Sequence, residues 1–127
     1  IRIEFAIIGE GVCRAELEKL INQVNLQDKI GLKGSKTTSE VLEELRNSQI
    51  FLLSSNEEVL PTVLLEAQAC ELPVVATNVG AVKSMLANGI LVEKEDDQEM
   101  TNALEYLIIN KLIIEYLFVY NKYNIMK

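Results

Sequence analysis

The chain of 127 residues contains no histidine and only two cysteines. Without histidine, neither a Ser-His-Asp relay nor a His-ligated metal centre can be built. Cys13 and Cys70 lack the close pairing of a zinc site. Each falls on the apolar side of an expected helix and is read as a small buried hydrophobe, a usage that fits a reducing compartment. Positive charge is scarce too: 12 Lys and Arg stand against 19 Asp and Glu, for a net charge of −7. A nucleic-acid binder draws most of its affinity from basic contacts to phosphates, so that class is set aside. No run reaches the roughly 18 uncharged apolar residues of a membrane span. No signal-peptide pattern, fixed-period repeat or dividing linker is found.

What is present is apolar in an ordered way. Hydrophobic residues make up 49% of the chain, enough for a core and too many for disorder. One domain is the default at this length, burying roughly two-thirds of its unfolded surface. The chain opens at Ile1 directly on a strand pattern and reads as a piece of a longer protein.

"IEFAIIG" (3–9) is an almost unbroken apolar run closed by glycine, as expected of a strand buried on both faces. In the segment 11–26, Cys13, Leu17, Leu20, Ile21 and Val24 recur at helical spacing as one apolar stripe. A strand at 29–34 leads to a helix at 37–48, which Thr37 or Thr38 should cap. A strand at 49–55 precedes a helix at 60–70 with Pro61 near its first turn. Strands at 72–78 and 89–93 flank a short helix at 81–86, and a last helix runs over 97–109. Strands alternating with helices predict βαβ units. The fold class is therefore α/β: a Rossmann-like three-layer α/β/α sandwich with a parallel sheet. Residues 1–109 form the domain. Residues 110–127 are a tail, helical or truncated, on which no function is placed.

Ligands of such sheets sit beyond the carboxyl ends of the strands. The loop Gly9-Glu10-Gly11 begins like a dinucleotide fingerprint, but Arg14 stands where its third glycine belongs. A tight strand-to-helix turn is the other reading of that loop. The segment 33–40, with Gly34, could line a crevice through its backbone. The stretch "SSNEEVLPTVLLEAQAC" (54–70) carries more. A helix starts near Leu60 or Pro61, and its free N–H groups suit a phosphate. Glu58 precedes that helix and Glu66 lies inside it. Carboxylates repel phosphate but accept hydrogen bonds from hydroxyls. A nucleotide sugar has both parts, a diphosphate and many hydroxyls. On the other reading, Glu66 is a solvated helix residue and Glu58 a charge favoured by the helix dipole.

At these residues the sequence resembles a family. "EEVLPTVLLEAQACELPVVATNVGAV" is similar to the E-x7-E helix, LPVVAT strand and "VGG" loop of the C-terminal, donor-binding domain of retaining GT-B glycosyltransferases of the family 4, or group 1, type. "FAIIGEG" resembles their "IVGDGP", and "SEVLEELRNSQIFLLSS" the helix and strand before E-x7-E; the likeness runs from about residue 3 to 109. It implies one half of a GT-B fold and a retaining hexosyltransferase as the parent protein. Such an enzyme passes a sugar from a nucleotide-diphosphate donor to a saccharide or lipid-linked acceptor, as in polysaccharide biosynthesis. By matching positions, Glu58 is the catalytic candidate, holding donor-sugar hydroxyls near the reacting centre. Glu66 meets the ribose. Val59, Leu60 and Thr62 face sugar and phosphates through their backbone, and Gly34 and Ser35 lie near the base. Gly9, Gly11 and Gly80 are turn formers or phosphate-loop positions.

The resemblance implies no cofactor and no metal, since helix dipole and basic groups neutralise the leaving diphosphate. It implies a UDP- or GDP-linked sugar as partner, an acceptor held by an N-terminal domain not contained in this sequence, and no nucleic acid. The parent would be cytoplasmic, peripherally associated with the inner face of the membrane. The sequence departs from the family at Val59, where glycine is usual, and at Ala81 and Ser84. The isolated chain is expected to turn over weakly or not at all. The alternative is a Rossmann-like α/β binding or interaction domain without catalysis.

Overall fold

The computed structural model describes residues 3–118, with side chains through Asn110. Five strands alternate with five helices: β1 (Phe5–Ile8), α1 (Arg14–Gln23), β2 (Ile30–Gly34), α2 (Thr38–Arg46), β3 (Phe51–Leu53), α3 (Thr62–Ala69), β4 (Val74–Thr77), α4 (Val82–Met85), β5 (Gly89–Val92) and α5 (Asp97–Phe118). The α/β alternation and Rossmann-like layering expected from the apolar runs are present. All ladders between named strands are parallel.

The expected single sheet is divided in two. β1 pairs with β2, and β3, β4 and β5 form a separate sheet in that order. Among the described residues no ladder joins the two sheets. Packing bridges the seam between them instead: Ala6 of β1 rests on the cluster that contains Phe51 and Leu53 of β3.

The core sits on the larger sheet. On one face, Phe51, Leu53, Val74 and Ala76 meet Leu45 of α2, Leu64 and Ala67 of α3, and Val82 of α4. On the other, Leu52, Val75 and Val92 meet Ala103 of α5. All four residues of β4 are buried, as the continuous apolar run "VVAT" requires of a strand covered on both sides.

The apolar stripe expected on α1 is corrected. Ile21 is its only buried residue, while Leu17, Leu20 and Val24 are exposed. A sheet of two strands is too narrow a floor to cover the stripe. Cys13, expected inside, is exposed, and Cys70 is half-buried. Cys13 takes the N-cap position, where the chain has not yet turned its side chains toward the sheet. Thr37 caps α2 in a full capping box with Glu40. Pro61 is the N-cap of α3, one place earlier than the first helical turn. Helix α5 runs past residue 109 to Phe118. The remainder of the tail, 119–127, lies outside the described residues.

Candidate functional site

The carboxyl ends of β3, β4 and β5 open on a cavity of about 430 Å³. Asn56, Glu58 and Val59 come from the β3–α3 loop, Asn78 and Gly80 from the β4–α4 loop, and Lys94 follows β5. Glu57 and Glu93 add two more carboxylates to its wall.

Two contacts fix the β3–α3 loop. The Ser55 hydroxyl donates to Glu58 Oε1 at 2.8 Å and orients the half-buried carboxylate. The buried Thr77 hydroxyl donates to the carbonyl of Ser55. From the other side the β4–α4 loop presses against it. Gly80 has φ +53°, and a Cβ built there would fall 1.5 Å from the Glu58 carbonyl oxygen. No side chain other than hydrogen fits. The Ala81 amide donates to the Val59 carbonyl at 3.3 Å and completes the clamp. These contacts hold the backbone of residues 58 and 59 while the Val59 side chain stays 87% exposed.

Helix α3 begins behind this loop. No side chain caps its N-terminus; the Leu64 amide donates to the Pro61 carbonyl at 3.1 Å, and the helix dipole favours negative charge at this end. Leu60 is 63% exposed, and Thr62 is exposed on the first turn. Glu66 is half-buried one turn further on. At the far end of α3, Gln68 donates to the Met85 carbonyl at 2.9 Å and accepts from the Ala87 amide at 2.7 Å, tying α3 to α4.

The other expected positions lie across the seam. The Gly9 amide donates to the Gly34 carbonyl at 2.9 Å, joining the first two strand-to-helix loops. Gly9 has φ +133° and Gly34 φ +73°, so both use glycine's freedom. Arg14, first residue of α1, donates through Nε to Glu18 at 3.0 Å and through its terminal nitrogen to Glu10. The hydrogen bond to Glu18 and the charge of Glu10 hold the guanidinium even further above its ordinary range. Glu10 Oε1 lies 3.0 Å from where a Gly34 Cβ would be, so this ion pair covers the β2–α2 loop. Ser35 is exposed beside it, and Gly11 is exposed in open space.

The structure thus gathers Glu58, Val59 and Gly80 around one cavity. Gly9 and Gly34 meet at the smaller sheet. Ser55, Asn78 and Lys94 are residues that sequence reasoning missed. Ser55 alone carried a readable signal, three residues before Glu58 in a loop. Among the described residues, no group of three or more metal-ligating side chains gathers, and no helix is long and apolar enough to cross a membrane.

The model of the family "Glycosyl transferases group 1" matches residues 1–124. The chain belongs to this family. A phosphatidylinositol N-acetylglucosaminyltransferase subunit from Arabidopsis thaliana is 34% identical over 84% of this chain and 24% of its own length. An alpha-D-kanosaminyltransferase from Streptomyces kanamyceticus is 31% identical over 83% of this chain and 28% of its own length. Among solved structures, Anabaena HepE in complex with UDP superposes with a TM-score of 0.73 at 22% identity, covering 90% of this chain and 32% of HepE. The likeness to HepE is one of fold. This group 1 glycosyltransferase chain spans about a quarter to a third of the proteins it matches.

Proposed function

We propose that this chain is the C-terminal, donor-binding domain of a retaining GT-B hexosyltransferase. In this reading it holds a UDP- or GDP-linked sugar for transfer to a saccharide or lipid-linked acceptor. The observation that carries the reading is the β3–α3 loop. It sets an oriented carboxylate, Glu58, directly before an uncapped helix N-terminus. The N–H groups of α3 favour the diphosphate and the charge it gains as the glycosidic bond breaks. Glu58 accepts hydrogen bonds from sugar hydroxyls, with Ser55 fixing the carboxylate in place, and Glu66 accepts from the ribose. The loop at Gly34 and Ser35 receives the base, with Gly9 and Gly11 shaping the turn beside it.

In this reading the helix dipole and Lys94 offset phosphate charge without a metal ion or cofactor. Lys94 supports it as the one cation lining the cavity among the described residues. We place the reaction on the cytoplasmic side, at the inner face of the membrane. The activities for which the relatives are named support transfer of a hexose derivative; the N-acetylglucosaminyl relative, named for phosphatidylinositol, supports a lipid-linked acceptor.

Titration of the chain with UDP and GDP by calorimetry tests the proposal. At least one nucleotide is expected to bind, and Glu66→Ala to weaken it by roughly 1–3 kcal/mol through loss of the ribose contact. Absence of binding by either nucleotide at millimolar concentration sinks the donor-site reading.

A further inference from the structure

The wall of the cavity is polar on most sides. Asn56, Asn78, Glu58 and Lys94 offer amide, carboxylate and ammonium groups suited to hydroxyls. One side differs: Val59, 87% exposed there, has a side chain with nothing to donate or accept. Val79 beside it is half-buried, with its side chain packed on the main core cluster. Val59 stands on a backbone that is held in place. Its carbonyl accepts from the Ala81 amide, and the peptide before it lies against Gly80. Its backbone cannot move away unless the two loops part.

We infer that Val59 is a specificity-determining residue that selects a donor sugar bearing a methyl group, an acetamido or 6-deoxy substituent, on the edge that meets it. The inference rests on the donor-site reading above and names the class of sugar within it. A hydroxyl pressed against Val59 would lose its water and gain no partner, a mismatch worth on the order of tenfold in affinity. A methyl group there is covered by the isopropyl group instead, a gain of about fourfold for one buried carbon. The polar walls remain for the other hydroxyls. The cavity therefore matches a sugar with one apolar corner better than a fully hydroxylated hexose.

Two matched donor pairs test this by calorimetry on the whole chain: UDP-N-acetylglucosamine against UDP-glucose, and GDP-D-rhamnose against GDP-D-mannose. UDP and GDP alone are measured for each variant. The wild type should bind the methyl-bearing member of at least one pair about tenfold more tightly. Val59→Thr keeps the branched shape and adds a hydroxyl, and Val59→Ala removes the isopropyl surface. Both should bring that ratio to within about twofold of unity, each taken within the variant so that a change in nucleotide affinity cancels. Equal affinities within both pairs, or a ratio that survives in both variants, overturn the inference while nucleotide binding leaves the donor reading standing. If neither UDP nor GDP binds the wild type, the donor reading itself falls and takes the inference with it.

Discussion

The two halves of the molecule are made of similar strands and differ in what covers them. β4 and β3 are buried throughout, between α2, α3 and α4 on one face and α5 on the other. β1 is half-buried along its whole length, and α1 contributes a single buried residue. The candidate site follows this division. Glu58, Val59 and Gly80 stand on loops anchored to the well-covered half, where loop meets loop at backbone distance. Gly9, Gly11 and Gly34 stand on the thinly covered half, where Gly9 and Gly11 have no neighbouring atom to meet a Cβ. Close packing beneath a loop lets it hold one carboxylate in one place. A loop over a thin half must be held by its own backbone bond, as Gly9 and Gly34 are.

Paired glycine substitutions put the largest strain on that comparison. Gly80→Ala drives a methyl group into the Glu58 carbonyl and also occupies a positive φ. Its expected cost exceeds about 4 kcal/mol in urea unfolding, in the range reserved for severe core or backbone lesions. Gly9→Ala meets no atom within 4 Å and carries only the backbone penalty at φ +133°, about 1–3 kcal/mol. If the two variants lose equal stability, the close approach of the two loops is not what holds Glu58.

Leucine truncations probe the same contrast one step lower. Leu64→Ala opens a void under α3, where the side chain is fully buried in the main cluster, and should cost about 2–5 kcal/mol. Leu20→Ala on α1 removes a side chain 52% exposed and should cost under about 1 kcal/mol. Thermal or urea unfolding compares them directly. A Leu20→Ala loss as large as that of Leu64→Ala would mean that α1 is covered in solution.

The division between the halves explains what the sequence could and could not reveal. Element order was legible because "FAIIG", "IFLLSS" and "VVAT" are apolar runs punctuated by Gly, Ser and Asn, and helices fill the spaces between. The α1 stripe was legible as a helix and misleading about burial, since periodicity shows which face is apolar and not whether anything covers it. Glu58 and Val59 were legible as a candidate because one short loop carries them together before a helix. The approach of Gly80 to the Glu58 carbonyl was not, because it depends on how two crossovers bring distant loops to one sheet end. Asn78 and Lys94 were hidden for the same reason. Ordinary polar residues after β4 and β5 become cavity walls only once the strands are in register.

The smallest expected effect lies where the halves meet. Helix α2 belongs to the covered half through Leu45, which is fully buried, yet its first turn is as exposed as α1. That turn is held by local hydrogen bonds and by Val41, which packs on the main cluster. The Thr37 amide donates to Glu40 Oε1 at 3.0 Å, and the Glu40 amide donates to Thr37 Oγ1 at 3.3 Å. The bond from the Thr37 backbone, then that from its hydroxyl, lowers the Glu40 carboxyl below its ordinary range. A carboxyl depressed in the folded state adds stability above its unfolded pKa and loses it as pH falls through the folded value. Acidification from neutral pH through the carboxylate range should therefore remove a small increment of stability that belongs to this cap. Glu40→Gln keeps an acceptor oxygen in the box and removes the titration. Its thermal midpoint should fall slightly less than that of the wild type over the same acid range. Parallel curves would show that the charge at this exposed cap contributes nothing, leaving burial alone to distinguish the two halves.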